Sequence, residues 1–311
     1  MAQQGLFRYL YLKAVVTLLR LFLIVKRRRT LVPPDSRQRR GVKIPSRDKG
    51  RYIMADIYYP DTESREPLPV LVNWHGSGFI VPNLGSDALF CARTAQHAGI
   101  AVLDADYRKG PETPFPGAVH DVEDTLLWVA SQSRQFDPTR VAVSGFSAGG
   151  NLAIVAATTL RRKLAGAVNI RALLSIYPLI NLAAPPETKR VPRPIRPFPP
   201  WLLRVFNDCY APDPDTRTDP IVSPYFADVA DFPDTVALVT CEGDNLRPEV
   251  QELGERLRQS NGDKRKIIEH ICEGVYHGFD NGSVSPGSVE DARREELYNL
   301  ATNVLKDVFK A

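Results

Sequence analysis

The chain has 311 residues, 43% hydrophobic and 24% charged, which is enough for one sizeable core and excludes a disordered protein. Its net charge of +4 is uneven: residues 1–40 hold ten Lys/Arg against Asp35 alone, for +9, and the remainder carries −5. No basic stripe interleaved with aromatics lies outside that head, and no Cys or His cluster has metal-ligand spacing, so neither nucleic acid nor a metal is expected.

The head reads "GLFRYLYLKAVVTLLRLFLIVKRRR" from Gly5 to Arg29. Lys13 and Arg20 interrupt it, so it is no clean membrane span, and without a small-residue cleavage site it is no secretory signal. Two readings stand. One is an amphipathic helix packed over the body as part of a lid, the favoured reading. The other is an interfacial helix on a membrane surface through residues 5–29, with the Lys26–Arg29 cluster meeting anionic lipid.

Strands and helices then alternate. Strands are predicted at Arg51–Tyr59, Pro69–Trp74, Ile100–Ala105, Val141–Ser144, Arg171–Ile176, Val236–Thr240 and Lys266–Ile271. Helices are predicted at Asp87–Ala98, Gly117–Ser131, Asn151–Arg162, Glu249–Gln259 and Val289–Phe309. Asp121, Glu123 and Asp124 are read as acids favoured by a helix dipole. This rhythm predicts an α/β fold with a mainly parallel sheet covered on both faces. Residues 183–234 break it with dense prolines that forbid regular ladders, and are read as a cap on the ligand side of the sheet. The expected organisation is an N-terminal cap or interfacial helix over 1–40, a catalytic domain over 41–182 and 235–311, and a cap insertion over 183–234. Cys91, Cys209, Cys241 and Cys272 are scattered, and buried free thiols suit a cytoplasmic setting, with peripheral membrane association left open.

The chemistry gathers where strand gives way to helix at Gly145-Phe146-Ser147-Ala148-Gly149, a G-x-S-x-G. A serine at such a corner stands free above the sheet, because the glycines remove Cβ atoms that would collide with strand and helix. The pattern alone is common; its strand-before, helix-after context gives it weight. An exposed serine needs a base. Of the five histidines, His277 alone follows the last strand in a Gly-bearing loop on the elbow's side of the sheet. The acid that orients it is sought after Val236–Thr240, in "CEGDNLRPE": Asp244 first, Glu242 second. Asp244 or Asn245 could instead cap the next helix. Oxyanion donors are expected from the Ala148 amide and from the loop "HGSGF", His75 to Phe79, after Pro69–Trp74.

The dispersed motifs then resemble the hormone-sensitive-lipase-like branch of the α/β-hydrolase superfamily. "HGSGF" resembles its HGGGF, "DYRKGPETPFPGAVHDV" its DYRLAPE–PFPAAVEDV, "GFSAGGNLA" its GDSAGGNLA, "EGDNLRPE" its D-P-L-R-D-E and "HGF" its histidine motif. The resemblance implies an α/β-hydrolase fold, nucleophile Ser147, acid Asp244, base His277, oxyanion donors on the amides of Gly76, Ser77, Gly78 and Ala148, and a helical cap from the N-terminus and the mid-chain insertion. Three departures stand out. Ser77 replaces a glycine and resists φ > 0. Phe146 replaces an aspartate, which adds an apolar wall beside the site. "RKGPE" replaces RLAPE, and Asp106, Tyr107, Arg108 and Glu112 are read as a structural network.

The expected function is hydrolysis of a small to medium apolar or aromatic carboxylic ester through an acyl-enzyme. Phe79, Phe146, Trp201 and Phe206 are the candidate substrate contacts. Amide or lactone hydrolysis and acyl transfer share this chemistry and stay open. A non-catalytic receptor on the same scaffold is disfavoured by His277. No cofactor is expected. The expected partners are the ester, with a membrane surface and a homodimer held open.

Overall fold

The apolar runs assemble into one eight-stranded sheet. The computed structural model describes residues 5–26, 37–61, 66–260, 265–281 and 284–310. The strands are β1 (Gln38–Pro45), β2 (Tyr52–Tyr58), β3 (Leu68–Trp74), β4 (Ala101–Ala105), β5 (Phe136–Phe146), β6 (Ile170–Ile176), β7 (Thr235–Cys241) and β8 (Lys266–Cys272). Their order across the sheet is β1-β2-β4-β3-β5-β6-β7-β8. β1 and β2 pair antiparallel, as do β2 and β4; every other pairing is parallel. The helices are α1 (Leu6–Lys26), α2 (Ala88–Ala98), α3 (Gly117–Ser131), α4 (Ala148–Ala157), α5 (Thr159–Lys163), α6 (Pro200–Tyr210), α7 (Arg247–Gln259) and α8 (Val289–Phe309).

Two apolar layers sandwich the sheet. Side chains of α3, α4 and α7 build one core with α1 and α6; those of α2 and α8 build the other. This is the α/β-hydrolase architecture. Of the strands whose C-terminal ends carry the site, β3, β5 and β7 are buried over the stretch that leads to it, and β8 forms the edge of the sheet.

Several expectations are corrected. β1 begins at Gln38, so the sheet starts inside the segment read as head. The predicted helix over Asn151–Arg162 is two, α4 and α5, broken where Thr158 adopts φ −120° and ψ −92°. α6 sits within the proline-rich insertion, because Pro200 at a first helical position sacrifices no hydrogen bond. The acids of α3 lie beyond its first turn and serve arginines instead. Asp121 takes both Arg51 nitrogens at 2.7 and 2.8 Å, and Asp124 takes Arg47 at 2.9 Å. Arg27, Arg28 and Arg29 lie outside the described residues.

Candidate active site

Parallel neighbours β3 and β5 are in register at Trp74 and Gly145, so the loops leaving their C-terminal ends emerge side by side. β5 ends at Phe146 and α4 begins at Ala148, which leaves Ser147 alone at the corner. Its backbone is strained, at φ +53° and ψ −114°, a cost that tight surroundings must hold in place. A Cβ on Gly145 would lie 2.2 Å from the Gly149 carbonyl oxygen. One on Gly149 would lie 1.8 Å from the Trp74 carbonyl oxygen, so only glycine lets α4 start against β3. Gly149→Ala is therefore expected to cost at least about 2 kcal/mol and lower Tm by about 5 °C, read by thermal melting.

Above Ser147 the β8 and β7 loops converge. His277 Nε2 lies 2.8 Å from Ser147 Oγ, and His277 Nδ1 lies 2.7 Å from Asp244 Oδ2. The other Asp244 oxygen accepts the Leu246 amide at 3.0 Å, which fixes the carboxylate's orientation. The Asp244 side chain is 1% exposed and that of His277 9%. Glu242 faces elsewhere and accepts the Gly274 amide. The structure thus brings together Ser147, His277 and Asp244 and leaves Glu242 out.

The loop after β3 flanks this chain. A Cβ on Gly76 would lie 3.4 Å from Ser147 Cβ, which places Gly76 directly beside the serine. Among the described residues no acceptor takes the amides of Gly76, Ser77, Gly78 or Ala148. Ser77 does not adopt positive φ; that conformation falls on Gly78 (+56°) and Phe79 (+62°). The Ser77 hydroxyl instead bonds the Tyr107 hydroxyl at 2.6 Å and accepts the Phe79 amide at 2.9 Å. Tyr107 in turn donates to the His75 carbonyl at 2.7 Å. The serine that replaces a glycine therefore pins the loop.

Below the loop lies the network around Asp106. It bonds His75 Nε2 at 3.0 Å and Lys109 Nζ at 2.7 Å. Burial and the adjacent Lys109 ammonium push the His75 imidazole down, against its bonds to Asp106 and the Gly76 carbonyl. Burial likewise pushes Lys109 down to about 8, against the pull of Asp106. The "RKGPE" departure has a physical reading here. Lys109 Nζ sits 3.4 Å from the Tyr107 ring centroid, and a Cβ on Gly110 would lie 2.2 Å from the Cys209 carbonyl oxygen at the end of α6.

The aromatic candidates divide. Phe206 lies over Gly78, where its ring fills the space a Cβ would need, at 2.6 Å. Phe79 is fully buried and stacks on Tyr210 at 3.8 Å, joining loop to α6 rather than lining a site. Phe146 is 1% exposed and packs edge-on against Phe90, because the strand's alternation turns it to the α2/α8 face; it forms no wall beside Ser147. Trp201 is 53% exposed on the outer side of α6, away from the core that α6 packs on.

Two further residues shape the site. Phe198 meets the His277 ring edge-on at 4.6 Å, with Phe206 at 5.8 Å. Asn245 does not cap α7; its side chain bonds Phe198 from both ends, accepting its amide at 3.1 Å and donating to its carbonyl at 3.1 Å. The signal for it was the asparagine standing where the resembled acid-loop pattern has proline, which has no such side chain. Two hydrogen bonds at roughly 1 kcal/mol each hold Phe198 in place. Asn245→Ala is expected to raise KM for p-nitrophenyl butyrate about tenfold with kcat within about threefold. Steady-state kinetics read both, and a fall in kcat alone contradicts this.

A strained serine at a strand-to-helix corner, with a histidine and a buried acid from the last two strand loops, defines an α/β-hydrolase. The alpha/beta hydrolase fold family model matches residues 71–281. Esterase LipI of Mycobacterium tuberculosis is 31% identical over 76% of this chain and 74% of its own. Ethyl acetate hydrolase of Pseudomonas putida is 32% identical over 67% of this chain and 65% of its own. An esterase of Pyrobaculum calidifontis superposes with a TM-score of 0.75 at 29% identity, covering 96% of this chain and 94% of that one. The chain belongs to the α/β-hydrolase fold family, in its hormone-sensitive-lipase-like branch, and is an enzyme of the carboxylesterase type.

Proposed function

We propose that the chain is a serine carboxylesterase that cleaves small to medium apolar or aromatic esters through an acyl-enzyme on Ser147. The observation that carries this reading is the unbroken hydrogen-bond chain from Ser147 Oγ through His277 to Asp244. His277 Nε2 takes the serine proton as Oγ attacks the ester carbonyl. Asp244 holds the Nδ1 proton in place and stabilises the imidazolium. The developing oxyanion meets the amides of Ala148 and of the Gly76–Gly78 loop. His277 then protonates the departing alcohol, and water releases the acid by the reverse sequence.

Substrate size is read from the cap, formed here by the 183–234 insertion and α1. Phe198 and Phe206 roof the site with apolar rings, which favours short acyl groups and apolar alcohols. The name of the Pseudomonas relative points to the same size range. A cytoplasmic setting is supported by four cysteines, all buried and unpaired. A p-nitrophenyl ester series from acetate to palmitate tests this reading. The expected kcat/KM is highest at acetate to butyrate and falls at least about tenfold by palmitate. A maximum at palmitate overturns the assigned size.

A further inference from the structure

α1 is apolar on two opposite faces. Its inner face enters the main core through Leu12 and Val16, at 2% and 0% exposure. The two charges that interrupt the apolar run also turn inward. Lys13 and Arg20 both bind Glu112, and Arg20 donates to the carbonyls of Ile80 at 2.7 Å and Gly110 at 2.9 Å. Burial acts against ionising Glu112, yet these cations hold its carboxyl down at about 2. With Lys13 and Arg20 spent on the body, the outward face is left to Leu6, Phe7, Leu10, Tyr11, Leu18 and Leu21, each more than half exposed and Phe7 89% exposed. Their spacing follows the helical repeat, so they form one stripe along the helix.

We propose that this stripe docks on an anionic bilayer surface. A continuous exposed apolar stripe on a soluble body marks an interaction site. Charge chooses the occupant. Beyond Arg8, Lys13 and Arg20, which pair with the body, residues 1–40 still hold seven Lys/Arg against one acid, for +6, which attracts anionic lipid and repels a second copy of the same head. The opposite face of α1 is packed on the core through Leu12 and Val16, so the docked helix lies in the interface plane. Through Arg8, which pairs with Asp208 at 2.9 Å, α1 is tied to α6, the helix whose Phe206 covers the Gly78 loop. Docking therefore brings the cap beside the lipid.

The test is co-sedimentation of the full chain with phosphatidylcholine vesicles, with and without phosphatidylserine. It reads binding without turnover, so it stands or falls apart from the esterase proposal. Wild type is expected to bind the phosphatidylserine vesicles and to bind pure phosphatidylcholine at least about tenfold less tightly. Leu18→Asp with Leu21→Asp is expected to lose at least about tenfold in vesicle affinity with melting and p-nitrophenyl acetate kinetics unchanged. Phe7→Ser with Leu10→Ser, at the other end of the stripe, is expected to repeat that loss. Absence of wild-type binding, equal binding to neutral vesicles, or undiminished binding by both variant pairs overturns the proposal. A solution dimer that the variants dissolve, without vesicle binding, assigns the stripe to a second copy instead.

Discussion

Ser147→Ala is expected to lower kcat for p-nitrophenyl butyrate about 10⁶-fold, close to 8 kcal/mol of barrier. The size follows from the geometry. Ser147 Oγ is the atom that His277 Nε2 reaches, at 2.8 Å, and alanine leaves nothing there for the base to activate. The fold should survive. The strained elbow is imposed by Gly145 and Gly149 packing against backbone, and the Ser147 amide and carbonyl keep their bonds to Ile176 and Asn151. Native circular dichroism with a tenth or more of the activity remaining would place the nucleophile elsewhere.

Asp244→Asn is expected to cost about 10⁴ in kcat while preserving shape. An amide can still accept the Leu246 N–H with its oxygen. It then turns its NH₂ toward His277 Nδ1, which must accept rather than donate, and this places the ring proton on Nε2 where the serine proton has to go. Glu242→Gln is the matched control. Its carboxylate serves the Gly274 amide, and activity is expected to stay within about threefold. Equal losses in the two variants, measured in one pH-controlled assay, would contradict the assignment of Asp244.

Much of this arrangement is legible in the sequence, for physical reasons that differ by element. β3, β4, β6 and β7 are read to within a residue, because strands buried on both faces are continuous apolar runs. β1 escapes notice. Its sequence QRRGVKIP is exposed over its first four residues, and an edge strand needs only the two buried side chains Val42 and Ile44 to hold its register. α6 is hidden by its prolines, which forbid a ladder but suit a helix start.

The site divides in the same way. Ser147, Asp244 and His277 are legible because each follows a strand end, and parallel topology sends all such loops to one side. The aromatic roof is legible only in part: Phe206 is a candidate contact that does lie over the Gly78 loop, but side-chain direction elsewhere depends on contacts distant in sequence. Phe146 looks like a neighbour of the nucleophile and points to the opposite core. Phe198 is 79 residues from His277, and Asn245 holds its backbone where the two rings meet. The inward turn of Lys13 and Arg20 is equally invisible without Glu112, which lies 99 and 92 positions away.

The central claim is that Ser147 carries the acyl group, and the most direct measurement is covalent labelling. The full chain is treated with a p-nitrophenyl phosphonate, and intact-mass and peptide mass spectrometry follow the adduct while ester hydrolysis is assayed. The account predicts one phosphonyl group per chain, on Ser147, with activity lost in proportion to labelling and no adduct on Ser147→Ala. Labelling of another residue that tracks the loss of activity, or full activity with Ser147 fully modified, would contradict it.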